Sequence, residues 1–286
     1  MQPLRMVLML CVSGSLAAGA LAAPAANRAA LAAQADVEQQ NKDTVTRIYA
    51  ELFNQDNSDL ATDLFADDLV QHDPRAADGP AGQLALFAAL KSEIPGVVAS
   101  VKHLGAEDDL VVVHWQASAA PDDEFSDRAA VDLWRMANGK AAEHWDVVQD
   151  VPPQSASGNS MFSDVYVYPD GVPTISDDQR RANRQMVVNA YMDLFNNKKV
   201  ELLDQLWDPR YYQHNPCCGN GTAGLRGLVA TLPGTPILNI SHAVADQDLV
   251  FTIADEPANT ILADLFRVVN GKIIEHWDVV PTSVAG

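Results

Sequence analysis

Cysteine is scarce, with three residues in 286: Cys11, Cys217 and Cys218. The last two are adjacent and cannot tie distant parts of the chain together, so apolar cores rather than a disulfide framework must hold the fold. In an oxidising compartment the pair leaves two alternatives open, a strained vicinal disulfide or two free thiols, and a weaker third has them as soft metal ligands, although adjacent cysteines seldom both reach one ion. Basic charge is also short. Nineteen Lys and Arg stand against 38 Asp and Glu, a net charge of −19. The deficit is uneven: 23 acidic and 8 basic residues over 36–151, against 11 and 9 over 180–286. With no basic patch, nucleic acid is excluded as a partner and anionic membrane is disfavoured. The chain also lacks a G-x-S-x-G elbow, a P-loop and a dinucleotide fingerprint, which leaves the corresponding hydrolase, nucleotide and nicotinamide chemistries without support.

The apolar stretch Met6–Ala22 is interrupted by Ser13, Gly14 and Ser15 and is short for a membrane span. Arg5 precedes it, and Ala20-Leu21-Ala22 offers an A-x-A-like cleavage site. Residues 1–35 therefore read as a signal peptide and leader, with a retained anchor as the alternative. The expected location is periplasmic or secreted, with no stable membrane insertion once the signal is cleaved.

What the chain does contain is itself, twice. Glu143–Val148 and Glu275–Val280 are the same hexapeptide, Glu-His-Trp-Asp-Val-Val. Around it, in the same order, Gln71-His72-Asp73-Pro74 matches Gln213-His214-Asn215-Pro216, and Asp109-Leu110-Val111 matches Asp248-Leu249-Val250. Asp132-Leu133-Trp134-Arg135 matches Asp264-Leu265-Phe266-Arg267, and Asn138-Gly139-Lys140 matches Asn270-Gly271-Lys272. Repeats of this length are domains rather than solenoid units. The expected division is 36–151, a linker at 152–179, and 180–286.

Each repeat reads as three helices followed by about four antiparallel strands, an α+β unit. The first helix carries Val45, Ile48, Tyr49, Leu52 and Phe53 on one face, or Val187, Ala190, Tyr191, Leu194 and Phe195. The third spans Leu84–Ile94 or Leu225–Leu232, each stopped by Pro-Gly. Asn-Gly between the last two apolar runs predicts a hairpin. Val165–Tyr168 in the linker is a candidate extra strand.

Strand alternation puts His144, Asp146 and Val148 on one face of the hexapeptide and Glu143, Trp145 and Val147 on the other. If the first face lines an interior, His144 with Asp146, and His276 with Asp278, form candidate acid/base pairs. His72 and His214, at the entry to a Gly-rich loop, are candidate helpers. His114, Trp145, Trp277, Tyr49 and Tyr191 are candidate substrate contacts. His114 has Ile253 as its counterpart. A weaker alternative has His72, His114 and His144 converging on a metal in the first repeat only. Asp132 and Arg135, like Asp264 and Arg267, read as separate cross-strand ion pairs.

Taken together, these repeated motifs resemble the SnoaL-like polyketide cyclase group of the nuclear transport factor 2-like superfamily. The resemblance covers about 45–151 and 187–281. It implies two cone-shaped barrels, each three helices on a curved antiparallel sheet around an apolar pocket. It also implies sheet-to-sheet pairing, as an intramolecular pseudo-dimer or a homodimer. Its enzymes use an Asp general acid/base for aldol ring closure, with no metal or cofactor. Three readings stay open: acid/base chemistry of aldol, cyclase or isomerase type on a small apolar carbonyl compound, non-catalytic binding of a small hydrophobic molecule, and a metal-dependent activity in the first repeat.

Overall fold

The computed structural model describes residues 25–232, 234, 238–256 and 260–281. Most of the proposed signal segment, Cys11 and Pro233 lie outside the described residues. Residues 25–35, read as leader, continue the first helix, α1 (Ala25–Arg47). A π-helical turn, Ile48–Phe53, extends it and buries Ile48, Tyr49, Leu52 and Phe53. A short helix α2 (Ala61–Leu64) runs directly into strand β1 (Phe65–Gln71). Then come α3 (Pro80–Glu93), β2 (Val98–Glu107), β3 (Leu110–Ser118), β4 (Arg128–Ala137) and β5 (Lys140–Asp150). The second half repeats the order: α4 (Asp177–Asn197), α5 (Leu202–Leu206), β6 (Trp207–Gln213), α6 (Thr222–Thr231), β7 (Asn239–Asp246), β8 (Leu249–Glu256), β9 (Thr260–Val269) and β10 (Lys272–Val279). No helix among the described residues is long and apolar enough to cross a membrane.

The unit is α+β, as expected, but each sheet has five strands and is mixed. Its order is β1-β5-β4-β3-β2, or β6-β10-β9-β8-β7. The unexpected strands, β1 and β6, pair in parallel with β5 and β10. Both are edge strands with little alternation. Asp67 and Asp68 break the pattern in β1, and Pro209 sits inside β6, where only an edge tolerates it. The Asn-Gly turns form as expected. Asn138 and Gly139 have φ of 53° and 77°, and Asn270 and Gly271 51° and 72°, the positive values that a two-residue I′ hairpin demands.

Each sheet has two different faces. One packs on its own helices: Val111, Val113, Trp115, Ala130 and Trp134 join the first helical core, and Val250, Ala254 and Phe266 the second. The other faces the opposite sheet. Val112, Val131, Leu133 and Val147 meet Val244, Phe251, Ile253, Leu265 and Trp277 in a third apolar cluster. Polar contacts at its edge are reciprocal. Lys42 pairs with Asp246 at 2.7 Å, and Arg184 pairs with Glu107 at 2.7 Å. The Ala106 amide donates to Asp246 (3.1 Å), and the Ala245 amide to Glu107 (2.8 Å). Each pair is the repeat equivalent of the other, the pattern of an interface about a two-fold axis.

The segment between the units forms no strand at Val165–Tyr168. It works as a strap. Met161 and Phe162 are buried in the inter-sheet cluster, and the amides of Val165 and Tyr166 donate to Glu275. Gly105 is a close approach across the layer. A Cβ there would meet the Phe251 ring at 2.5 Å and Asp246 Cβ at 3.3 Å. Gly105→Ala should therefore cost about 1–3 kcal/mol in denaturant unfolding. A neutral result would mean the sheets separate easily.

Candidate functional site

A cavity of about 180 Å³ opens between α3 and the helix-facing side of the first sheet. Its volume suits a small compound rather than a drug-sized one. Apolar Leu86, Phe87, Leu90, Ala130 and Val148 wall it, and Asp132, His144 and Asp146 line its polar end, with Arg75 at the rim. The pleat therefore turns as expected: His144 and Asp146 face the interior, and Trp145 faces away.

The His144 ring stacks on Trp134, with centroids 4.0 Å apart. Its Nδ1 lies 3.0 Å from Gln71 Oε1, and Gln71 Nε2 donates to Gln83 Oε1 at 2.7 Å. A carbonyl oxygen only accepts, so Nδ1 carries a hydrogen. The atom left to exchange a proton is Nε2, which is buried without a hydrogen-bond partner among the described residues. Asp132 Oδ2 lies 3.9 Å from it. That carboxylate accepts from the Tyr49 hydroxyl and from Trp115 Nε1 (3.0 Å). Burial, reinforced by Asp132, holds the Tyr49 phenol well above its ordinary pKa, so it stays a donor.

Asp146 is the perturbed group. Burial raises its pKa from 3.8 to about 7, against the pull of His144 and with a push from Asp132 and Asp73. Arg75 Nη2 is 3.2 Å away and only partly offsets this, because it also grips Asp73. A carboxyl poised near neutrality beside an imidazole with a free nitrogen can give and take protons in either direction.

The second cavity, about 270 Å³, is lined by Tyr191, Trp207, Tyr211, Leu225, Leu228, Phe266, His276 and Asp278 among others. Gln213 again holds the imidazole, His276 Nδ1 lying 2.9 Å from its Oε1. Here, however, His276 Nε2 is engaged by Asp264 Oδ1 at 3.0 Å, and Tyr191 donates to the same oxygen at 2.7 Å. Burial lifts Asp278 to about 6.

Several expected site residues lie elsewhere. His72 is on the far face of the sheet, its ring parallel to Trp145 at 4.1 Å and its Nε2 3.2 Å from Glu143. His214 is buried against Trp277 and bonds Ser160 O and Glu275. His114 faces the inter-sheet layer, 3.0 Å from His103. Burial, then His103, pushes its pKa well below the ordinary value. His72, His114 and His144 thus share no centre, because His144 points to the opposite face of the sheet, and the three-imidazole metal alternative falls. Trp145 and Trp277 are inter-sheet residues, not cavity walls. Tyr49 acts through Asp132, whereas Tyr191 lines its cavity. His72→Ala should change stability by under about 1 kcal/mol and leave ligand occupancy of the cavity unchanged, which thermal melts and equilibrium dialysis would check.

Sequence reasoning missed Asp132 and Asp264. They read as members of separate cross-strand ion pairs, yet they are 3% and 2% exposed and face inward on the cavity side. The available signal was a repeated Asp inside an apolar run, in phase with Ala130 and Trp134. Arg135 does face the other way, pairing with Asp109 and Glu143. Gln71 and Gln213 were visible only as invariant partners of the His in the repeat.

Residues 45–144 match the family model described as SnoaL-like domain. Among solved structures, the chain is similar to a protein described as a SnoaL-like polyketide cyclase from Jannaschia sp. CCS1, at 24% identity and TM-score 0.34, covering 39% of this chain and 87% of that one. It is similar to Bal32a from a soil-derived mobile gene cassette at 24% identity and TM-score 0.34, with 40% and 92% covered. It is similar to IdmH of Streptomyces antibioticus, described as a polyketide cyclase, at 21% identity and TM-score 0.32, with 38% and 92% covered. A comparison with curated proteins found no match.

Proposed function

Taking residues 45–144 as a SnoaL-like domain, we propose that the first cavity performs acid/base chemistry of aldol, cyclase or isomerase type on a small apolar carbonyl compound. A generic cyclase or isomerase role accords with the domain; the substrate class rests on the cavity. The observation that carries the reading is the pairing of a buried, near-neutral Asp146 with the unpartnered Nε2 of His144. One group removes a proton next to the carbonyl, and the other delivers one to oxygen or carbon. Asp132, held by its Tyr49 and Trp115 donors, keeps the imidazole aimed. Arg75 at the rim steadies Asp146 without discharging it. The leader reading places this chemistry outside the cytoplasm, on compounds met there.

The test is solvent deuterium incorporation at carbon next to the carbonyl, across a panel of small apolar aldehydes and ketones. Exchange above the buffer rate is expected for at least one member. Buffer-level exchange throughout, with ligand bound, would leave the cavity a binding site only. The second cavity favours binding, because its imidazole is already occupied by Asp264 and its wall carries five Leu, two Phe and Trp207.

A further inference from the structure

The two cavities carry the same carboxylates but not the same counter-charges. In the first, Asp146 has the Arg75 guanidinium at 3.2 Å, and Asp132 has the Trp115 indole at 3.0 Å. In the second repeat, Cys217 stands at the position of Arg75 and Ala254 at that of Trp115. Asp278 is left with one neutral donor, Asn215 Nδ2 at 2.6 Å on Oδ2. Asp264 receives both Tyr191 and His276 on Oδ1 alone. The remaining oxygens, Asp264 Oδ2 and Asp278 Oδ1, are buried and have no hydrogen-bond partner among the described residues. No Lys or Arg among the described residues lines this cavity. Two buried carboxylates with spare oxygens and no cation are costly unless something positive joins them.

The geometry supplies a place for it. One ligand atom each from Asp264, His276 and Asp278 lies within 4.8 Å of the others, and all three residues are buried. Gln213 fixes His276 through Nδ1, which directs Nε2 into the cluster. Asn215 fixes Asp278 in the same way. Such outer partners are what orient metal ligands in built sites. Replacement of Trp115 by Ala254 also opens room: this cavity is about 270 Å³ against about 180 Å³.

We propose that Asp264, His276 and Asp278 form a binding site for one divalent first-row transition-metal ion at the polar end of the second cavity. One imidazole nitrogen and two carboxylate oxygens suit zinc, manganese, iron or cobalt, and the imidazole disfavours calcium and magnesium. The ion takes the place of the hydrogen bond between Asp264 and His276. Its two positive charges offset the two carboxylates, a role that the Arg75 guanidinium fills in part in the first repeat, where the Trp115 indole adds a neutral donor. Three protein ligands leave positions open toward the apolar wall, where a small ligand's oxygen can bind. The site is separate from the acid/base pair of the first cavity and does not depend on that reading.

The experiment titrates the chelator-treated full chain with Co²⁺, followed by visible absorption, and with Zn²⁺ by calorimetry. One saturable equivalent is expected. Asp264→Asn, which keeps the shape, should weaken it by more than about a hundredfold, since it removes a ligand rather than an outer partner. Cys217→Arg touches no proposed ligand and sits on an exposed position. It should abolish binding by restoring the missing cation. Asp132→Asn and His72→Ala should leave binding unchanged. Absence of saturable binding in the unsubstituted chain overturns the site. So does binding that survives both Asp264→Asn and Cys217→Arg. If Asp264→Asn fails to fold, Cys217→Arg decides alone.

Discussion

Asp146→Asn is expected to reduce proton exchange in the first cavity by about 10²–10⁴-fold while the fold persists. The amide keeps the size of the carboxyl and can still bond Asp73, but it cannot cycle a proton. The same substitution should alter stability with a definite sign. Burial raises the Asp146 pKa from 3.8 to about 7, so the fold disfavours its charged form. The stability tied to this group is fully present below about pH 4 and is lost as pH rises through about 7. A shift of that size corresponds to an upper limit of roughly 4 kcal/mol. Asp146→Asn should therefore match the unsubstituted protein near pH 4 and melt at a higher temperature than it at pH 8. Activity lost together with a lower melting temperature at pH 8 would make Asp146 a packing residue.

Glu275→Ala is expected to cost about 3–5 kcal/mol, read from denaturant unfolding. Glu275 is fully buried. It holds Arg267, His214 Nε2 (3.0 Å) and the strap amide of Val165 (2.6 Å) at once. Removing it leaves the Arg267 charge short of a partner inside the inter-sheet layer and frees the strap. The first repeat supplies the control. Glu143 occupies the same hexapeptide position but its side chain is 30% exposed, between His72 and Arg135. Glu143→Ala should cost less than about 1 kcal/mol. Equal losses at the two positions would mean the strap adds nothing to the burial of Glu275.

The duplication, the strand order after each third helix and the Asn-Gly hairpins were legible because each rests on local pattern. The inward turn of His144 and Asp146 was legible because pleat parity follows from one inward residue. Partners across the fold were not. Nothing near Asp132 in sequence announces that Tyr49 and Trp115 will donate to it, 83 and 17 residues away. His72 and His214 looked like loop residues at a cavity mouth. The parallel edge strands β1 and β6 instead carry them past it and leave them on the inter-sheet face. Those strands were invisible because each has only a few inward apolar positions and polar or Pro residues between them.

The paired ion bridges, Lys42 with Asp246 and Arg184 with Glu107, have an evolutionary consequence. In an assembly of two identical chains, any substitution appears in both hollows simultaneously, so neither can specialise without the other. Covalent fusion of the two partners removes that constraint while keeping the contact surface. The exchange of Arg75 for Cys217, and of Trp115 for Ala254, is a divergence open only to a protein whose halves are inherited as separate stretches of one gene.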